Sequence, residues 1–333
     1  MAVIVLLLLS LSAFAMVSGF NDGGNLVATY RSSRIIDSRR IAPLLIAAIA
    51  LGPVIFGTAV SRTMALEVVN FTQTSSRLLA ISVMAGVLTL VVTWRMRLPT
   101  STTIALAGGI IGAAAASGQA ALIHWAGVEK IAGGLVGSVV MGFMLAWLLT
   151  GVMKRVTASD GTPRLVKVVD KFQYLTILWQ GLAYGANDQE KVIGLTAIVM
   201  MLLSHDAVYH VSSFDILFPL ASWSVGLALG GSRIANTVGT QIIHLRPETS
   251  VTTQLAAAIT VSLAAILGFP VSTTQATDGC IFGSGTMINR HRVHWKVVRK
   301  IIGVWIITMP IALAMGAVLM MLVRLSQGSH AFF

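Results

Sequence analysis

The chain has 333 residues, 56% of them apolar and only 11% charged, with a mean hydropathy of +0.84. A soluble core cannot hide that much apolar surface, so the composition excludes a water-soluble domain and indicates an all-α polytopic membrane protein. The formal net charge of +11 would suit a nucleic-acid binder only if it were clustered, and it is spread over the loops between apolar runs.

Runs long enough to cross a bilayer lie near 1–20, 41–60, 78–94, 104–126, 131–153, 172–203, 213–231, 250–268, 270–287 and 301–324. They predict about ten crossings, and up to twelve if the long 172–203 run or a hairpin is two pieces. No Lys or Arg precedes "MAVIVLLLLS", so the first run is expected to be a retained helix rather than a cleaved signal. The single cysteine, Cys280, allows no intramolecular disulfide. Assigning the loops alternately to two sides puts 18 of the 23 Lys and Arg on one side. That side is expected to be cytoplasmic, with both termini outside. The basic charge is therefore topology, and no nucleic-acid partner is expected.

Two short motifs recur in order. "GFNDGGN" at 19–25 precedes "RLPTSTT" at 97–103, and "GANDQEK" at 185–191 precedes "GFPVSTT" at 268–274. Asp22 and Ser101 are 79 residues apart, Asp188 and Ser272 are 84 apart. Near-equal spacing indicates an internal repeat: 1–153, a basic linker 154–171, and 172–333. Five crossings before the linker is an odd number, so the second repeat is expected to be inverted, with the substrate near the midplane between repeats.

The residue types suggest chemistry. A proline suits the first turn of a helix, where the backbone N–H groups are free and the helix dipole is positive. Adding Ser101, Thr102 and Thr103, or Ser272, Thr273 and Thr274, gives an anion cup built without Lys or Arg. The competing reading is that these hydroxyls merely cap the helices or bond back along them. Asp22 and Asp188 lie beside glycines inside apolar runs, where a carboxylate costs about 2.5–3.5 kcal/mol on insertion scales. With Asn oxygens and unwound backbone carbonyls they would make a hard-oxygen site for a small cation. Lys191 could stand where a monovalent cation would bind, snorkel to an interface, or pair with Glu190. Asp278, in "TQATDGCIFG", is a candidate to carry a coupling proton or to cap a helix beside Gly279. His205 with His210, and His291 with His294, lack carboxylate or thiol partners nearby in sequence, so solvated loops are expected and no metal site.

The paired Asn-Asp motifs, each followed by "PTSTT" or "PVSTT", together with "GGSRIANTVGTQIIHLRP" at 230–247, resemble the inorganic phosphate transporter (PiT) family over essentially the whole chain. The resemblance implies inverted repeats, two re-entrant helical hairpins carrying the Ser-Thr-Thr turns, and a homodimer in the cell membrane. It implies phosphate binding by the six turn hydroxyls, and coupling cations arranged by Asn21, Asp22, Asn25, Asn187 and Asp188. "NDQEKVIGL" is similar to the bacterial low-affinity branch, which is proton-driven and can carry metal–phosphate complexes. Lys191 stands where sodium-coupled members commonly have a second asparagine, as if a fixed ammonium replaced one sodium. Gln275 stands where a histidine is usual, which turns attention to Asp278 for the proton. A sulfate-permease branch shares the superfamily, but Asp22 and Asp188 would accept hydrogen bonds from protonated phosphate and repel ionised sulfate. A membrane enzyme with a hydroxyl nucleophile would need a base beside it, and no His adjoins either turn. The expected protein is thus a phosphate symporter in the lipid bilayer, not an enzyme, with no cofactor beyond coupling H+ or Na+.

Overall fold

The computed structural model describes residues 2–31, 38–69, 71, 76–96, 100–159, 163–204, 208–241 and 246–327. The first half comprises α1 (Ala2–Arg31), α2 (Ser38–Phe56), α3 (Ala59–Arg62) running into a π-turn (Thr63–Glu67), α4 (Ser76–Arg95), α5 (Thr102–Ala116) and α6 (Trp125–Ser159). The second comprises α7 (Pro163–Tyr184), a π-turn (Gly185–Gln189), α8 (Glu190–Ser204), α9 (Ser213–Gln241), α10 (Pro247–Ile266), α11 (Thr273–Asn289) and α12 (Trp295–Gln327). No strand forms among the described residues beyond one isolated bridge, Val69 to Ile123. An all-helical chain is what lipid demands, because helices satisfy their own backbone polar groups.

Among the described residues α1, α4, α6, α10 and α12 are long and apolar enough to cross a bilayer, and α2 with α3 makes a sixth span bent by 78°. The bend falls at Gly57, whose φ of +85° an L side chain would resist. α5 has 15 residues, a rise of about 22 Å, which is short of a hydrocarbon core. The 104–126 run is therefore not one crossing. Its helix ends at Ala116 and the chain turns before α6.

Burial separates a belt from a centre. In the most apolar stretches of α6 and α12 only 28% and 22% of residues are buried, against 72% for α10. Val136, Val140, Met144, Trp147 and Leu148 of α6 lie exposed in a stripe, as do Ile306, Ile307, Met321 and Leu322 of α12. These faces suit lipid tails. α10, by contrast, buries the polar run Thr249–Gln254, which only a protein interior with partners can hold.

The packing partners match when the halves are exchanged. α1 packs on α4 as α7 does on α10, and α4 on α5 as α10 does on α11. α5 lies on α12 and α11 on α6, while α1 lies on α9 and α7 on α2. Each half thus completes the other. Glycine permits the close approaches: a Cβ on Gly226 would sit 1.9 Å from the Met16 carbonyl, and one on Gly185 2.0 Å from that of Ile49.

One expectation fails here. The Asn-Asp motifs are not unwound breaks. α1 continues through 19–25 as α-helix, and the second motif opens only into a π-turn. The motif glycines serve packing instead: a Cβ on Gly19 would meet the Trp223 carbonyl at 2.1 Å, and one on Gly23 the Leu227 and Trp223 side chains.

Candidate functional site

The two Ser-Thr-Thr turns have the same local geometry. Ser101 (φ −90°, ψ 117°) and Ser272 (φ −90°, ψ 107°) are extended N-cap residues whose Oγ atoms accept from the N–H of Ile104 (3.1 Å) and Gln275 (3.2 Å). Both serines therefore act as caps, the plainer of the two readings of their sequence. Pro270 lies two residues ahead of the cap rather than in the first helical turn. Pro99 is outside the described residues. Thr102 and Thr103 open α5, Thr273 and Thr274 open α11, and all four are buried.

The asparagines hold the turns. Asn21 Nδ2 donates to the Thr100 carbonyl (2.8 Å). Asn187 Nδ2 donates to the Phe269 carbonyl (3.0 Å) and its Oδ1 accepts from Val271 N (3.2 Å). Each motif thus fixes the turn of its own half. The turns also meet, because Thr103 Oγ1 donates to the Val271 carbonyl at 2.8 Å.

The aspartates reach further. Asp22 accepts from Thr274 Oγ1 (2.7 Å) and from Ser18 Oγ (2.8 Å). Asp188 accepts from Thr273 Oγ1 and from Lys191 Nζ, the latter at 2.7 Å. Both carboxylates, the ammonium and the hydroxyls are buried. Lys191 neither snorkels nor pairs with Glu190. Glu190 turns to α3, where its Oε2 accepts from Val60 N (2.9 Å) and Ser61 N (3.1 Å).

Asn25 and Asp278 are also buried, but among the described residues neither amide atom of Asn25 and neither oxygen of Asp278 has a hydrogen-bond partner. Asp278 is the sixth residue of α11, so the helix-cap reading is wrong: the cap belongs to Ser272. Of the buried acids at this centre, Asp188 is paired with an ammonium, whereas among the described residues Asp22 has only hydroxyl donors. Uncompensated charge is costly in such a buried, oxygen-rich centre. His291 and His294 sit on the α11–α12 connection, exposed or at a helix start, His210 lies in an exposed loop, and His205 is outside the described residues. No cluster of three metal-ligating side chains occurs among the described residues.

Reading the sequence missed Ser18 and Glu190. Ser18, Asp22, Asn25 and Thr29 follow the i, i+4, i+7, i+11 spacing of one helix face, which was a usable signal. Glu190 carried none, because its partners are backbone amides 130 residues away.

Comparison with known proteins places the fold and the family. A Bacillus subtilis protein named "Probable low-affinity inorganic phosphate transporter" is 29% identical over 321 residues, covering 94% of this chain and 95% of that one. The human "Sodium-dependent phosphate transporter 1" is 28% identical over 165 residues, covering 49% of this chain and 24% of its own length. A solved structure described as "The sodium-dependent phosphate transporter" superposes with a TM-score of 0.84 at 22% identity, covering 98% of this chain and 100% of that one, so the fold is shared. The phosphate transporter family matches residues 18–316, a span that includes both Asn-Asp motifs and both hydroxyl turns, and the chain belongs to that family.

Proposed function

We propose that the protein is a secondary active symporter that brings inorganic phosphate into the cell, alone or as a metal–phosphate complex, coupled to a cation by alternating access. The family is one of transporters, not enzymes. One observation carries the reading: Thr273 and Thr274, at the start of α11, donate to carboxylates from opposite halves of the chain, right where α5 also begins. The donors suited to an oxyanion are held by the protein's own anions. A cation settling on Asp22 competes for its oxygens and releases Thr274 toward an arriving phosphate. The N–H groups and dipoles of two helix starts add to the threonine hydroxyls, while Asp22 and Asp188 can accept the protons that phosphate carries and sulfate lacks. Ser101 and Ser272 keep the helix starts in shape. Thr102 and Thr103 complete the anion's surroundings from the first half.

The proton is the favoured coupling ion, because Lys191 already sets a fixed positive charge 2.7 Å from Asp188, where a monovalent ion would otherwise sit. Asp278, buried and without a hydrogen-bond partner among the described residues, is the candidate proton carrier, and Asn21 and Asn25, whose amide oxygens have no partner among the described residues, contribute oxygen near the cation. In this reading the halves are inverted repeats in the plasma membrane, α4–α5 and α10–α11 are re-entrant hairpins, both termini lie outside, and the protein is a homodimer as the family resemblance implies.

The test is labelled-phosphate uptake into proteoliposomes under an imposed proton gradient and, separately, a sodium gradient, with sulfate as competitor. Proton-driven uptake indifferent to sulfate is expected. Uptake driven by sodium alone would discard the account of Lys191, and strong competition by sulfate would make this an oxyanion permease of the sulfate type.

A further inference from the structure

A lane of buried polar side chains leaves the site toward Arg246, at the start of α10. With Gln180 Nε2 donating to Thr277 Oγ1 (3.4 Å), the threonine's own proton serves the Tyr184 phenol (2.8 Å), whose proton serves the Thr273 carbonyl (3.4 Å). Thr29 Oγ1 donates to Gln180 Oε1 (3.1 Å), and the Thr29 carbonyl accepts from Ser250 Oγ. Gln173 Nε2 reaches Ser250 at 2.9 Å, and Thr176 donates to Gln254 Oε1 at 2.6 Å. Every one of these side chains is buried. They come from α1, α7, α10 and α11, so the lane is a seam between four helices drawn from both halves.

The opposite direction is different in kind. There α1 continues as Phe14, Leu11 and Leu7, and α8 as Val192, Leu195 and Ile198, all buried in the main apolar cluster. Parting that contact would expose apolar surface at about 25 cal/mol per Å². Parting the polar lane exchanges internal hydrogen bonds for bonds to water, at small net cost per bond. In this conformation the lane is the easier way out.

We propose that this lane is the route by which the cargo leaves toward the Arg246 side, and that Tyr184 is the positioning residue that bars it. The proposal rests on the phosphate-carrier reading above. The phenol lies one turn before Asp188 on the α7 side of the π-turn, and its bonds to Thr277 and to the Thr273 carbonyl tie α7 to the first turn of α11, directly behind the Thr273–Asp188 contact. Nothing can pass from the Thr273 turn into the lane while that tie holds. Tyr184 itself donates to a backbone carbonyl, not to the anion.

Full-length protein in liposomes preloaded with labelled phosphate tests this. Tyr184→Phe keeps the ring and removes both bonds. It is expected to raise gradient-free phosphate efflux about five- to tenfold, the worth of a net hydrogen bond, while the KM for uptake stays at the wild-type value. A second readout uses Ser250→Cys in a chain whose only native cysteine, Cys280, is buried: a charged maleimide should label position 250 faster when Tyr184→Phe is added. Wild-type efflux together with wild-type labelling overturns the proposal, and so does a raised KM with unchanged efflux, which would make Tyr184 a binding residue. Wild-type liposomes that exchange no phosphate at all overturn the carrier reading itself, whereas an exchanging wild type with an unaltered Tyr184→Phe overturns only the gate.

Discussion

The two hydroxyl turns share backbone shape, capping serine and a supporting asparagine, yet their threonines serve different partners. In the second turn Thr273 donates to Asp188 and Thr274 to Asp22, one carboxylate from each half. In the first, Thr103 spends its hydroxyl on the Val271 carbonyl and so braces its counterpart. A repeat that is symmetric in sequence is thus asymmetric in charge: both aspartates lean on the second turn. In the proposed cycle the second turn is where a cation takes the Asp22 oxygens and frees Thr274 for the anion, and the first turn is its abutment.

Removing a carboxylate is the harshest way to break that arrangement. Asp188→Asn would leave the Lys191 ammonium buried without its partner (the pair is 1% exposed on both sides), and breaking such a pair costs about 3–5 kcal/mol. Loss of coupled phosphate uptake and a lower detergent melting temperature are expected together. Asp22→Asn strands no ammonium, so it should lose coupled uptake while melting close to the wild type. Near-normal transport by both variants would sink the cation-site reading, and equal melting temperatures would mean that the Asp188–Lys191 pair is not a structural necessity.

The threonines give a finer contrast. Thr273→Val removes a hydroxyl bonded to a charged group, worth about 1.5–3 kcal/mol, so the KM for phosphate should rise roughly 10- to 100-fold. Thr103→Val removes a bond to a neutral carbonyl, worth about 0.5–1.5 kcal/mol, and the KM should rise only a few-fold. Equal effects would erase the distinction between the turns. A larger effect at Thr103 would reverse it and make the first turn the principal anion site.

Much of this centre was legible in the sequence because it is built from repeated short motifs whose residue types are costly in a membrane. Asp22 and Asp188 could be flagged for that reason alone, and their matched distance to the Ser-Thr-Thr turns linked them. The form of the helices at the motifs was not legible. Glycines beside a buried acid read as a break, whereas Gly19, Gly23 and Gly185 are there to let another helix approach, and the approaching helix is far away in sequence. The polar lane was hidden for a similar reason. Gln173, Thr176 and Gln180 on α7 look like an ordinary polar stripe until α1, α10 and α11 are known to face it. Glu190 was hidden most completely: its role depends on the bend between α2 and α3, which presents two backbone amides to a carboxylate in the other half.

The smallest expected effect separates the asparagines. Asn187 makes two bonds to the second turn, to the Phe269 carbonyl and from Val271 N, whereas Asn21 makes one resolved bond to the first, and its Oδ1 has no partner among the described residues. If each is worth about 1 kcal/mol net, Asn187→Ala should destabilise the protein about twice as much as Asn21→Ala in a detergent unfolding series. The transport readout should run the other way. The spare oxygen of Asn21 lies beside Asp22 in sequence and is available to a cation, so Asn21→Ala should weaken the apparent affinity for the coupling ion more than Asn187→Ala does. Measuring both quantities on both variants distinguishes an asparagine that holds the frame from one that also serves the ion, and identical profiles would mean that the two motifs do the same work despite the asymmetry of the aspartates.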